Sequence, residues 1–452
     1  MANITDAKAL GTDKVSKLLM QYALPSIIAM TASSLYNMVD SVFIGHGVGA
    51  YAISGMAITF PLVNIGAAFG SLVGVGAATL VSVRLGQKDY ATAQKVLGNV
   101  VDLNVLLGIV ITVVALAFLD PILYFFGASE NTIGYARDYM QVILLGNVIT
   151  HLYFGMNALL RASAHPRQAM YATIATVVIN TVLDPVFIFG FDMGIRGAAI
   201  ATVLAQLVAL MYQLHFFSKP DELLHFHRGA FRLDKRIVLD SLAIGLSPFL
   251  MNLASCVLVI FINQGLLRYG GDLSVGAYGL ANRLVFVAAM IVMGFNQGMQ
   301  PIAGFNYGAK LYHRVNEVTR LTIYCATAVM TVAFALSMLF PEPLIRIFTS
   351  DEELIARSVK ALRIIVMFFP VVGFQMVTGN FFQSIGMAGK AIFLSLTRQL
   401  LFLLPLVIIL PHYFGEDGVW YSMPVSDCIA SIVAAVMLVM QYRSFSKRGA
   451  EN

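Results

Sequence analysis

The chain has 452 residues, of which 58% are hydrophobic and only 12% charged, with a mean hydropathy of +0.79; a soluble domain carries about 25% charged residues. Apolar windows of about 20 residues, enough to cross a hydrocarbon core as a helix, recur from Leu18 to Tyr442, so the composition excludes a soluble globular protein and predicts a polytopic membrane protein. The net charge of +5 then speaks of anionic lipid headgroups rather than nucleic acid.

Residues 1–17 are polar, and the apolar segment behind them is too long for a signal h-region, so the first span is expected to stay. Polar breaks divide the chain into twelve predicted spans: 18–44, 52–83, 95–118, 136–160, 168–190, 194–217, 238–266, 276–304, 316–340, 357–385, 391–411 and 418–442. The alternation of a membrane β-barrel is not seen. The fold class is therefore all-α and integral to the membrane. "GHGVGA" (45–50) follows no strand and reads as a turn between spans 1 and 2, not a nucleotide loop. With no Walker motif either, ATP drive is not expected. Cys256, Cys325 and Cys428 fall in separate apolar spans and read as buried small hydrophobes, without disulfide or metal.

Basic residues set the orientation. One set of loops, including Lys14, Lys88, Lys95, Arg161, Arg236 and Lys390, holds 20 Lys and Arg; the alternate loops hold Arg137, Arg196, Arg268, Arg346 and Arg357. The positive-inside rule then puts both termini on the cytoplasmic side of a cytoplasmic (inner) membrane, in agreement with an even number of spans.

The chain also repeats itself. "LGQKDYATAQKV" (85–96) aligns with "YGAKLYHRVNEV" (307–318), and Pro121 with Pro343, at an offset of 222 residues. Pro185 aligns with Pro405 and "GIRG" (194–197) with "GEDG" (415–418). Residues 1–217 form one six-span lobe, 218–237 a cytoplasmic linker and 238–452 the second lobe. Six spans return the chain to its starting side, so the lobes are parallel repeats related by a pseudo-twofold along the membrane normal, with a central cleft suited to alternating access.

The two halves differ in their polar residues. Asp40, Asn180, Asp184 and Thr202 correspond to about Ile262, Leu400, Leu404 and Met423. The scaffold therefore does not need those polar groups, and an intramembrane carboxylate without a structural excuse marks function. Tyr36, Asn37 and Asp40 share one face of span 1; Thr176, Asn180 and Asp184 share one face of span 5. Pro25 and Pro185 are expected to bend their helices and free the carbonyls of Gln21 and Thr181. Two carboxylates, amide oxygens, a hydroxyl and freed carbonyls make a hard oxygen set, suited to Na⁺ or a proton and not to a transition metal. If Asp40 and Asp184 face each other, they titrate as one unit. The alternative is that these groups simply hydrogen-bond between helices for packing, worth about 0.6 kcal/mol each.

Other intramembrane polar groups have plainer readings. Asp102 either joins the polar network or hydrates near a helix end. Arg398 with Asp427 reads as an interhelical ion pair, and His151 as a satisfied polar contact.

"LPSIIAMTASSLYNMVDSVFIG", "RLGQKDY" and "NTVLDPVFIFG" with "GIRGAAIATVLAQ" resemble the multidrug and toxic compound extrusion (MATE) transporters, over essentially the whole chain. The likeness is to the branch whose cation site lies in the first lobe. It implies cation-coupling roles for Asp40, Asn180, Asp184 and Thr202, with Tyr139 and Asn157 supporting beside Tyr36 and Asn37. The family's other branch uses acids on spans 7 and 10; here "SPFLMNLASCVLVIFINQG" (247–265) in span 7 carries none, and neither does span 10 between Val359 and Ile385. The resemblance implies no enzyme activity and no cofactor beyond a coupling H⁺ or Na⁺. It implies secondary active efflux of lipophilic, often cationic compounds by a monomer among membrane lipids. Two rivals remain: a flippase for a lipid-linked oligosaccharide precursor, which calls for an Arg- and Lys-ringed cavity, and an intramembrane enzyme using Asp40 and Asp184 as a dyad.

Overall fold

In a computed structural model the described residues are 2–227, 229 and 231–450; side chains at 2–6, 36–38, 41, 42, 45, 46, 50, 51, 53, 57 and 448–450 are outside the description. Among these residues every element is helical. In the first half these are α1 (Ala2–Thr12), α2 (Val15–Gly47), α3 (Ala50–Gly86), α4 (Tyr90–Ala117), α5 (Leu119–Phe125), α6 (Ile133–Leu145), α7 (Asn147–Ala162), α8 (Pro166–Pro185) with a π-helical turn at Val186–Gly190, and α9 (Gly194–Phe217). The second half has α10 (Lys235–Gly270), α11 (Asp272–Gly308), α12 (Tyr312–Leu339), α13 (Pro341–Arg346), α14 (Glu352–Ile365), α15 (Phe369–Ser384), α16 (Ala388–Leu396), a π-helical turn at Thr397–Leu403, α17 (Leu404–Phe414) and α18 (Glu416–Ala450).

Ten of the resulting segments are long and apolar enough to cross a membrane, and two bent pairs raise the number to twelve. The bent pairs depart from the sequence expectation. Spans 4 and 10, expected as single helices at 136–160 and 357–385, are each broken: α6 and α7 meet at 55°, α14 and α15 at 56°. Gly146 stands at the first break, where a Cβ would meet Val203 at 2.5 Å. Near the second, Pro370 occupies the first turn of α15, where it is tolerated because its missing N–H would be unsatisfied in any case. Sequence hydropathy runs through both breaks, which is why it does not register them.

The repeat is visible in the backbone. α3 and α11, α4 and α12, and α5 and α13 each begin 222 residues apart (50 and 272, 90 and 312, 119 and 341). The left-handed turns match as well: Gly49 with Gly271, Lys88 with Lys310, Ala164 with Gly386.

By their internal contacts, residues 1–13 and 28–249 form one unit, and residues 14–27 and 250–452 the other. One boundary, at 13/14, precedes α2; the other two fall inside α2 and α10, just after Pro25 and Pro248. In the first unit the opening of α10 lies against α3 backbone to backbone. A Cβ on Gly76 would sit 1.8 Å from the Ser241 carbonyl oxygen, and one on Gly245 would sit 1.7 Å from that of Leu72. In the second unit the opening of α2 lies against α11 in the matching way, with Gly294 against Ile27 and Gly298 against Ala23. Small residues at such crossings let helices close on each other where no hydrophobic force acts between them.

The segment expected as a linker is held to the first unit. Gln94 on α4 bonds both the carbonyl and the N–H of His225. Asn99, one turn on, donates to the Arg232 carbonyl at 3.0 Å and accepts from Asp234 N–H at 2.8 Å. His165 approaches Glu222 at 3.4 Å, and Phe226 stacks on Phe231.

Candidate cation site

α8 is built inside out. Thr176, Asn180 and Asp184, one turn apart, are buried, whereas Val178, Val182 and Val186 on another face are exposed. That is the pattern of a helix with its apolar face to lipid and its polar stripe to the bundle. α9 packs along α8 and brings Thr202 to the stripe. Asn180 donates to an Asp184 carboxylate oxygen at 3.1 Å, and its own oxygen faces the N–H and hydroxyl of Thr202, both at 3.2 Å. The Thr202 hydroxyl also lies 3.1 Å from the Ala198 carbonyl.

Asp40 of α2 completes the cluster. Its carboxyl lies within interaction range of that of Asp184; Asp184 is fully buried and Asp40 nearly so. Two ionised carboxylates are acceptors only, so this pairing favours a proton on one of them, or a cation between them. Asp40 Oδ1 is buried with no hydrogen-bond partner among the described residues. The chemistry available here is the uptake and release of a small cation in a low-dielectric site.

The structure thus brings Asp40, Asn180, Asp184 and Thr202 together. The side chains of Tyr36 and Asn37 lie outside the described residues. Tyr139 lies in an apolar cluster with Ile44, Ala136, Met140 and Ala198, so it borders the site through Ala198. Asn157 belongs to a neighbouring polar knot: it donates to the Ala169 carbonyl at 3.0 Å and to the Thr173 hydroxyl at 3.2 Å, and accepts from Arg161. Tyr153 joins the same knot through Thr173, at 3.4 Å. Sequence reading counted Arg161 among the loop cations and did not single out Tyr153 or Thr173. The signal was present, since Thr173 precedes Thr176 by three residues on the polar face of α8.

Pro185 closes α8, and the chain continues as a π-helical turn in which Phe191 N–H reaches the Val186 carbonyl at 3.0 Å. The widened turn is how the backbone absorbs a proline beside the carboxylate. The second half has its own π-helical turn, ending at Leu403 just before Pro405, with Leu404 in place of the acid.

That second turn carries Arg398, whose Nε donates to Asp427 on α18 at 2.6 Å. Ser426 donates to the Arg398 carbonyl at 2.9 Å, and Gln399 to Ser255 at 2.8 Å. This is the expected interhelical ion pair. Removing one partner strands a buried charge, so Arg398→Leu should destabilise the solubilised protein by about 3–5 kcal/mol. The double variant Arg398→Leu/Asp427→Leu should recover most of that loss in thermal melts; a double variant no better than the single one would show that the two charges do not act as a pair. His151 Nε2 donates to the Gly66 carbonyl at 3.0 Å, whereas its buried Nδ1 has no hydrogen-bond partner among the described residues, so the expected polar contact is only half satisfied.

Comparison with known proteins supplies the family. The MatE family profile matches residues 25–186 and 243–409. The multidrug export protein MepA of Staphylococcus haemolyticus (strain JCSC1435) is 26% identical over 93% of this chain and 92% of its own length. MepA of Staphylococcus aureus (strain NCTC 8325 / PS 47) is 26% identical over 94% of each. Among solved structures, the MATE multidrug transporter DinF-BH, solved as a complex with a bound compound, is 38% identical, with a TM-score of 0.89 over 96% of this chain and 98% of that one. A MATE protein in its bent conformation superposes with a TM-score of 0.93 at 25% identity, over 100% of this chain and 99% of that one. With a twelve-span helical repeat and a family profile over both of its halves, this chain belongs to the MATE family of membrane transporters and is not an enzyme.

Proposed function

We propose that the chain is a multidrug efflux antiporter that exchanges lipophilic, often cationic organic compounds for protons by alternating access, with Asp40 and Asp184 as the coupling pair. The observation that supports this reading is the pairing of two buried carboxyls, Asp40 and Asp184, beside Asn180 and Thr202. A proton satisfies that pairing by itself, whereas Na⁺ has to enter between the oxygens and recruit further ligands. Coupling then needs only that drug and proton favour different states of the transporter. The lobes are those of the repeat, both termini face the cytoplasm, and the protein works as a monomer in the cytoplasmic membrane. The flippase reading is disfavoured because the buried polar set of the first half is acidic.

In proteoliposomes loaded with a lipophilic cationic rhodamine dye, an imposed pH gradient at constant Na⁺ is expected to drive dye movement, and a Na⁺ gradient at constant pH is not. The reverse result would assign Na⁺ as the coupling ion. Equal movement with no gradient of either kind would sink the antiport reading.

A further inference from the structure

A cavity of about 260 Å³ lies where three spans of the first unit end. It is lined by Arg84 in the last turn of α3, by Asp89, Thr92 and Lys95 at the start of α4, and by Asp234, Arg236 and Asp240 at the start of α10. Its position is set by the span limits, since α3 leaves the apolar zone at Gly86, α4 enters at Tyr90 and α10 at Lys235. That is the level at which lipid headgroups sit.

Two of its acids are already engaged. Asp89 caps α4, accepting from Thr92 N–H at 3.1 Å, and stands 3.6 Å from Arg84. The Thr92 hydrogen bond, aided by Arg84 and Lys95 and opposed by burial, keeps its carboxyl below the usual carboxylate range. Asp234 caps α10, accepting from Arg236 N–H at 2.9 Å and from Ile237 N–H at 3.4 Å. The cations are less fully used. Arg84 pairs with Asp89 and donates from Nη1 to Gln87 at 3.3 Å, though its Nε is buried with no hydrogen-bond partner among the described residues; Lys95 and Arg236 have no salt bridge among them. Asp240 likewise has no salt bridge there. The cavity therefore offers spare positive groups for an anion and one spare carboxylate for a cation. On the same stretch of chain as Asp234 and Asp240, Phe231, Leu233 and Leu239 expose large apolar side chains.

We propose that this cavity is a headgroup site for a phospholipid whose phosphodiester carries a primary amine. Arg84, Lys95 and Arg236 hold the phosphate, Asp240 takes the ammonium, and Phe231, Leu233 and Leu239 lie along the acyl chains. Charge-assisted hydrogen bonds of this kind require donors on the amine, so an ethanolamine headgroup fits and a choline headgroup, which has none, fits less well. The proposal is independent of what the transporter exports.

The test is a thermal melt of the whole protein, delipidated in detergent and titrated separately with ethanolamine, choline and glycerol phospholipids of the same acyl chains, and with inorganic phosphate. A ligand bound only by the folded protein raises the midpoint. The ethanolamine lipid is expected to do so at the lowest concentration, and inorganic phosphate not at all. Lys95→Gln/Arg236→Gln should need at least about tenfold more of it for the same shift, and Asp240→Asn should abolish the preference over choline. Equal shifts from ethanolamine and choline lipids in the wild type would overturn the proposal, and so would a full shift from inorganic phosphate. Both readouts use the wild type, so a variant that folds poorly does not shield the idea.

Discussion

Asp184→Asn is expected to leave the transporter folded and able to bind the rhodamine dye, while dye efflux under an imposed pH gradient falls to near the rate of protein-free vesicles. The substitution keeps the shape of the side chain and its neighbour Asn180, but removes one half of the carboxyl pair. A coupling free energy of about 1–3 kcal/mol corresponds to roughly 5- to 150-fold in differential affinity, and losing it disconnects proton from drug. Asp40→Asn should do the same, because the proton is held by the pair. Thr202→Val should have a smaller effect, since it removes a hydroxyl facing Asn180 and not a charge. Wild-type efflux from both Asp variants under the gradient would show that coupling resides elsewhere. Loss of dye binding along with efflux would place the pair in the drug site instead.

The second large effect is on folding. Gly76→Val and Gly245→Val each drive a side chain into a backbone carbonyl less than 2 Å from the new Cβ. Ordinary overpacking costs about 1–3 kcal/mol because side chains can change rotamer; a carbonyl in the middle of a helix has no such freedom. Either variant is expected to yield little or no monodisperse protein by size-exclusion chromatography. Gly279→Ala is the control: its Cβ would meet open space, and the change should leave the protein as stable as wild type or gain up to about 1 kcal/mol from helix propensity. A Gly245→Val protein that melts with the wild type would mean that α3 and α10 do not lie this close.

Much of this was legible in the sequence because a membrane simplifies the physics. Apolar length gave the spans, and the 222-residue offset reappears in the ends of α3, α4 and α5 and of their partners. The Asp40, Asn180, Asp184 and Thr202 cluster could be read because each polar group stands where the other half carries an apolar one. What escaped were features that hydropathy does not register. The breaks at Gly146 and before Pro370 keep the apolar run intact while turning the axis. The supporting role of Asn157 rests on resemblance, and its partners Arg161 and Thr173 could not be read from the sequence because they are set by how α7 meets α8. The docked linker depends on Gln94 and Asn99, ordinary helix-surface amides whose partners lie more than a hundred residues away.

Each unit includes an opening helix segment contributed by the other half of the sequence. Residues 14–27 belong to the unit that holds the second half, and the start of α10 belongs to the unit that holds the first. Neither half is complete without a piece of the other. Either half produced alone would lack a helix segment that its own unit packs, so the two halves are expected to fold only when both are present.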